Sequence, residues 1–415
     1  MNRLLAFLAF GGLGSVAIGA EPINTAGLLP TQVARPLLDN DPAVAAARAN
    51  IEIAQRESQI IARSPYEWTA NASKQRRSFV TAPDAERVQE WNVGLEKTFR
   101  LPGKGFADRR LARATVEQAQ GEFGDALHEA AKQLMNLWID NLAAVEMEQL
   151  AAANAAAADE LMSIVEKRVK AGDASKIDLN AMRADLMDQR RAYRDATTQS
   201  TVARTRLMTR FPDFRSSVKT VPAPVPPDMP TDFYRDRAMR ESDELKIARA
   251  RLDVADAEVD RARADRIPDP TLGVFKASEA GGRERITGIS FSMPISGFVR
   301  STQSKKSVAA RSFARHELAR AERELAAQLT SDVETARGAY DSFMMATEGA
   351  AAIQETARLT QRAHTLGEAD LATLLMVRRQ ATATNNAALQ ARVAAIKAYY
   401  SLLIDAHLVW DLEND

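Results

Sequence analysis

The chain has 415 residues, with 55 Lys and Arg against 55 Asp and Glu, so it carries no net charge that would draw it to nucleic acid or to an acidic surface. It contains no cysteine, which excludes disulfide staples, thiolate metal sites and a lipid-modified N-terminal Cys. Apolar residues make up 46% but aromatics only 6%, a balance weighted to alanine that favours long packed helices over a large aromatic core.

Residues 1–20 read as a secretory signal. Arg3 supplies the positive start, Leu4 to Leu13 the apolar segment, and Ala17-Ile-Gly-Ala20 the small residues before cleavage. The mature chain is expected to begin near Glu21. No later apolar run approaches the length of a spanning helix. A helix is predicted from Pro42 to about Ile61, with Asp41 as N-cap and Pro at its first position, ending before Pro65. Strand candidates follow at Tyr66–Ser73 and Trp91–Phe99. In the second, Trp91, Val93, Leu95 and Phe99 alternate with Asn92, Gly94, Glu96 and Thr98, and Lys97 is the exception on the apolar face.

From Gly103 to Ala171 there is no proline, which predicts a helix of about 100 Å at ~1.5 Å per residue. Gly172 breaks it, and a second helix runs to about Arg210. Six of the sixteen prolines fall between residues 212 and 230, so 212–240 reads as an extended linker. The pattern then repeats. A helix is expected over about 242–266, strands at 271–275 and 286–293, a proline-free helix over 298–366, a turn at Gly367, and a last helix to about Trp410. Phe99-Arg-Leu-Pro102-Gly-Lys-Gly105-Phe106 matches Phe291-Ser-Met-Pro294-Ile-Ser-Gly297-Phe298 at an offset of 192 (294 − 102). Ala171-Gly172-Asp173-Ala174 matches Leu366-Gly367-Glu368-Ala369 at an offset of 195 (367 − 172). A repeat this long is a duplicated domain. The division expected is 21–211 for the first copy, 212–240 for the linker and 241–415 for the second copy.

Four strands cannot close a barrel and leave two open edges. Strands of about nine residues with one apolar and one polar face suit lipid on one side and water on the other. Several chains are therefore expected to pool their strands into one barrel, with the long helices continuing its wall as a tube. Trp91, Val93, Leu95, Phe99, Ile289 and Phe291 are the expected lipid-facing residues. The competing reading is a periplasmic coiled-coil scaffold, which has no use for those outward aromatics. Catalytic chemistry has no support. The four histidines lie far apart in sequence, no pair has metal-ligand spacing, and Gly103-Lys-Gly105 lacks the spacing of a phosphate loop. No catalytic residue, metal ligand or cofactor is assigned.

Five stretches together resemble the TolC-type outer-membrane efflux channels, and within them the heavy-metal branch (CzcC/CusC-like). They are Asp265-Arg-Ile-Pro268-Asp-Pro270-Thr-Leu-Gly273-Val, Leu101-Pro-Gly103-Lys104, the following Arg109-Arg110, the tip Arg168-Val-Lys-Ala-Gly172-Asp-Ala-Ser-Lys-Ile-Asp178-Leu, and the tip Leu366-Gly367-Glu-Ala-Asp-Leu371. The resemblance covers essentially the whole mature chain. It implies a mainly α fold with a small β part, a homotrimer closing a twelve-strand barrel, and a helical tunnel in the periplasm. As partners it implies outer-membrane lipid, a periplasmic adaptor and an inner-membrane RND-type pump. It implies tip and gate roles for Asp173, Asp178, His364, Glu368 and Asp370, with a hydrogen bond from His364 to Asp178 as a tie. Arg168, Gly172, Arg362 and Gly367 would dock the adaptor. The implied function is a passive export duct for metal cations or small toxic molecules; drug export or type I-like protein secretion is the alternative. Thr373 and Met376 stand where relatives often carry acids, which leaves an acidic constriction open.

Overall fold

The structure is a computed structural model describing residues 25, 27–63, 65–78, 87–295, 297–410 and 412. The segment read as a signal lies outside these. Twelve principal elements follow one another: α1 (Thr31–Asp39), α2 (Pro42–Arg63), β1 (Trp68–Ser78), β2 (Arg87–Thr98), α3 (Lys104–Lys170), α4 (Lys176–Arg210), α5 (Thr231–Glu241), α6 (Asp243–Ala264), β3 (Thr271–Glu279), β4 (Glu284–Ser292), α7 (Phe298–Thr365) and α8 (Leu371–Asp405). The order helix, strand pair, very long helix, long helix occurs twice. At 67 and 68 residues, α3 and α7 each span about 100 Å.

The four strands make one antiparallel sheet in the order β1-β2-β3-β4, so β1 and β4 are both edges. Pairing of β2 with β3 joins the two copies: Leu95 sits opposite Val274, and Lys97 opposite Leu272. The strands are longer than the sequence pattern indicated. β1 continues to Ser78 and β3 to Glu279, because residues such as Lys74 and Arg76 pair in register without adding to an apolar stripe.

The main core lies midway along the helices. Trp138 of α3, Tyr400 of α8, Tyr234 of α5, Phe211 and Trp410 are fully buried there. The proline-rich stretch is not a free linker. Phe211 and Val221 are buried in this core, and the Val221 N–H donates to Glu146 Oε1 at 2.7 Å. Its end is helix α5, started at Pro230, where the fixed φ of proline suits a helix entry. Gly124 lets α6 come against α3, since a Cβ there would collide with the Asp243 carboxylate. Trp410 Nε1 donates to the Leu29 carbonyl at 2.8 Å, tying the two ends of the described chain together. A second core near the helix tips joins Leu161, Val165, Met182, Leu186, Leu371 and Leu374. None of the described helices is long and apolar enough to cross a membrane.

Candidate functional site

The sheet sorts its side chains by charge as well as by hydropathy. Strand register places Ala70, Leu95, Val274 and Ile289 in one row across all four strands, and Trp68, Lys97, Leu272 and Phe291 in the row nearer the helices. Most of these are exposed: Trp68 at 62%, Leu95 at 42% and Ile289 at 86%. Exposed apolar side chains forming a continuous band mark a surface that meets something other than water. Phe99 is also exposed, just below β2. Lys97 is accommodated because its Nζ donates to the Tyr66 carbonyl at 2.6 Å and lies over the Trp68 ring. This face carries no carboxylate in any strand. The opposite face carries Glu90, Glu96, Glu279 and Glu284, the single cation Arg77, and small or polar residues such as Asn71, Ser73, Gly273 and Ser290, with Val88, Phe275 and Ile286 as apolar exceptions. Val93 faces the apolar side as expected, but its row holds Lys276 and Thr287, so the wholly apolar level is that of Leu95.

Below the sheet, two of the sequence motifs meet. The Arg100 guanidinium forks onto Asp108, with 2.8 Å from Nε to Oδ2 and 2.8 Å from a terminal N–H to Oδ1. Its other terminal nitrogen reaches Asp265 at 2.8 Å and Asp269 at 3.1 Å. Lys104 Nζ bridges Asp269 at 2.9 Å and Asp265 at 3.2 Å and donates to the Ile267 carbonyl at 2.6 Å. Asp269 also accepts from the Leu101 N–H at 2.9 Å and the Tyr66 hydroxyl at 3.0 Å. Burial alone would push the Asp269 carboxyl up, but these donors outweigh it and hold its pKa below the ordinary range. Both lone-pair regions of each buried carboxylate are occupied, which is the condition for a buried ion pair to hold its place. The network clamps the segments flanking β1, β2 and β3 to the start of α3, and Arg300 at the start of α7 joins it by donating to the Asp265 carbonyl at 2.7 Å.

At the other end the two inter-helix turns are built alike. Gly172 (φ +80°) and Gly367 (φ +79°) take the left-handed conformation, which a Cβ disfavours. The Gly172 N–H donates to Val169 O at 3.1 Å and Asp173 N–H to Arg168 O at 2.8 Å; Gly367 to His364 O at 3.1 Å and Glu368 to Ala363 O at 2.9 Å repeat the pattern. Both are Schellman caps. Three residues on, Ser175 and Asp370 each cap the returning helix, with 3.1 Å from Asp178 N and 2.7 Å from Thr373 N.

The side chains around the turns differ. Arg168 Nε donates to Asp173 at 2.9 Å, whereas the matching position in the second copy is Ala363. The expected bond from His364 to Asp178 is not formed. Asp178 completes a capping box, its Oδ2 accepting from Ser175 N–H at 3.0 Å and Ser175 Oγ at 2.8 Å. His364 is buried, and its Nδ1 lies 3.0 Å from the Ala369 carbonyl, which can only accept. Nδ1 therefore holds the proton, and Nε2 has no partner among the described residues. The two residues do share a cavity of about 320 Å³ with Asp173, Glu368 and Asp370. Arg362 is exposed on the last turn of α7, and Met376 is exposed on α8.

Sequence distance concealed a third cluster. His128 on α3 and His407 after α8 are brought to 5.3 Å between ring centres. His128 Nε2 is 2.9 Å from Asp405, which Lys132 also contacts at 2.6 Å. Burial drives the His407 pKa down to about 4 against the opposing pull of Asp243. No local pattern could have joined residues 279 positions apart (407 − 128). Among the described residues no group of three or more His, Asp or Glu is arranged to hold a metal ion.

A protein-family model described as outer membrane efflux protein (OEP) matches residues 33–210 and 235–403. Comparison with curated proteins gives no sequence match. Solved structures with the same fold include the CmeC outer membrane channel of Campylobacter jejuni, at TM-score 0.78 and 14% identity over 92% of this chain and 86% of that one. The outer membrane protein VceC of Vibrio cholerae gives TM-score 0.73 and 15% identity over 90% and 95%. CusC, described as forming a transmembrane channel, gives TM-score 0.73 and 14% identity over 90% and 92%.

Proposed function

From the premise that the chain belongs to the outer membrane efflux protein family, we propose that it is the outer-membrane duct of a tripartite efflux system. The observation that carries this is the sheet: four strands, two open edges, and faces divided into apolar-basic and polar-acidic. Backbone groups at an open edge are not tolerated in lipid, so β4 of one chain pairs with β1 of the next. Three chains close twelve strands, and α3, α4, α7 and α8 continue the wall into the periplasm. Trp91, Val93, Leu95, Phe99, Ile289 and Phe291 face lipid. The face bearing Glu96, Glu279 and Glu284 lines the lumen, with Glu90 buried behind it against Arg77 and Gln75; this supports a cationic cargo and agrees with the resemblance to the heavy-metal branch. The bare turns at Gly172 and Gly367, with Arg168 and Arg362 beside them and Ile177 and Leu366 exposed, receive the helices of an adaptor. The adaptor connects the duct to an inner-membrane pump, which selects what enters. The cavity around Asp178, His364, Asp173, Glu368 and Asp370 lies where the tunnel narrows.

Because the chain has no native cysteine, the seam can be tested cleanly. Cysteines placed at Asn71 or Thr69 on β1 together with Ser290 on β4 should give covalent trimers on oxidation in membranes. A monodisperse monomer in mild detergent, with no cross-linked species for any pair, overturns the assembly.

A further inference from the structure

Five basic side chains collect at the hairpin end of the lipid-facing side of the sheet. Lys74, Trp91, Ser278 and Arg285 occupy one row across the four strands. Lys276 is in the row just below, opposite Val93 and Thr287; Arg76 is in the row above, opposite Gln89, and Arg87 lies one row further, opposite Ser78. Lys74, Arg76, Arg87, Lys276 and Arg285 are all exposed. No described residue forms a hydrogen bond or ion pair with Lys74, Arg76, Lys276 or Arg285, and no strand puts a carboxylate on this face. The four Glu of the sheet are all on the other side.

A random mixture of charges would not segregate so completely along the strands, and cations that the described residues leave unpaired beside an apolar band call for an anion at that height. Trp91 marks the height independently, since tryptophan concentrates where a lipid bilayer meets water. From Trp68 to Lys74 is six residues, about 20 Å of strand. The cations therefore sit at the far boundary of the apolar band, beyond the helices. Lys276 and Arg285 are diagonal neighbours on adjacent strands, about 7–8 Å apart, and Lys74 and Arg76 are separated by one residue on β1. Each pair is close enough for its two flexible side chains to converge on one phosphate.

We infer that this girdle binds the phosphorylated headgroups of outer-leaflet glycolipid, one cluster to each seam between chains. This rests on the reading of the chain as an oligomeric outer-membrane barrel, which turns the hairpins outward and brings the β4 edge with Arg285 alongside the β1 edge with Lys74 and Arg76. Juxtamembrane Lys and Arg attract anionic lipid by charge, and the guanidinium fork adds two-point contact with phosphate oxygens.

The test uses the full oligomer reconstituted in two kinds of vesicle: phosphatidylcholine alone, and phosphatidylcholine with bisphosphorylated lipid A. After delipidation in detergent, lipid A retained per oligomer is counted by native mass spectrometry. Wild type should retain lipid A and unfold at a higher temperature with it than without. The variant Lys74→Gln/Arg76→Gln/Lys276→Gln/Arg285→Gln should retain about tenfold less and lose that shift. Arg77→Gln, on the opposite face, should behave as wild type. Inorganic phosphate at millimolar concentration should neither compete nor raise the unfolding temperature. Equal retention by wild type and the quadruple variant overturns the girdle while leaving the barrel standing, as does full competition by inorganic phosphate, which would make it a general anion site. Failure of the wild type to insert as an oligomer into phosphatidylcholine overturns the barrel and the girdle together.

Discussion

The two ends of the molecule are fixed by opposite means. At the sheet end, Arg100 and Lys104 from the first copy meet Asp265 and Asp269 from the second, more than 160 residues away in the chain; Lys104 and Asp269 are buried, Arg100 and Asp265 partly so, and every charge is matched. At the tip end, the turns are settled by residues within six positions of each other, with Schellman bonds, an N-cap and an exposed glycine. The long-range end resists change because breaking it strands buried charge. The local end yields more readily, because a cap or a turn can re-form in water. The proposed duct would use this inequality: a sheet end that holds its place, joined to tips free to rearrange against a partner.

The sharpest way to break the comparison is Asp269→Ala. Arg100 and Lys104 are almost wholly buried and would lose a shared acceptor, a change that costs about 3–5 kcal/mol when one partner of a buried pair is removed. Thermal unfolding in detergent should show the loss, with Asp269→Asn falling between it and wild type. A variant as stable as wild type would make the network decorative and the contrast between the ends void. Next in size is Leu95→Arg, in the all-apolar row with Val274 and Ile289, which should cost about 2–4 kcal/mol near the bilayer midplane. Val93→Arg should cost less, since Lys276 already shares its row, and Asn92→Arg on the far face should be tolerated. Equal losses at Leu95 and Asn92 would reverse the assignment of the faces.

The helical body between the ends adds a pH term. Burial lowers the His407 pKa to about 4, while the unfolded chain binds that proton near 6.5. Between those values the unfolded state holds more protons, so stability rises with pH. The contribution is complete above pH 6.5 and is lost as pH falls from there toward 4, by up to about 3 kcal/mol at 1.36 kcal/mol per unit. Urea unfolding of wild type and His407→Gln from pH 4 to 7 isolates it. Parallel stability curves would show that His407 titrates alike folded and unfolded.

What could be seen in the sequence divides along the same line. The period-two face of β2, the glycine turns and the proline-free helices are local patterns, and each is found where its pattern points. The upper half of β1 was hidden because Lys74, Gln75, Arg76 and Arg77 show no apolar alternation; only pairing with β2 gives their faces meaning. Helix α5 was masked by the run of prolines that leads into it, and α1 contains Pro36. The meeting of Arg100 with Asp269, and of His128 with His407, depends on the sheet and the helical hairpins bringing distant segments together. At the tip, the motif placed Asp178 and His364 around one cavity, but Ser175 competes locally for the Asp178 carboxylate and wins, since a capping box needs no distant partner.

The smallest expected effect tests the yielding end. Gly172 and Gly367 have positive φ, and a Cβ at either would meet nothing within 4 Å. The penalty for Gly172→Ala or Gly367→Ala is therefore backbone strain alone, about 1–2 kcal/mol each by the general cost of the left-handed conformation. Both substitutions should leave the proposed oligomer intact, because the turns lie at the opposite end from the strands. If the bare turns also receive an adaptor, Gly172→Trp with Gly367→Trp should abolish export in cells while oligomers persist in the membrane. The single alanines should retain most of it, because a methyl group adds strain without filling the approach. Comparing the two series separates strain from obstruction: strain follows the loss of stability measured in detergent, whereas obstruction follows side-chain volume. Export that tracks stability across both series would leave the glycines as helix caps and nothing more.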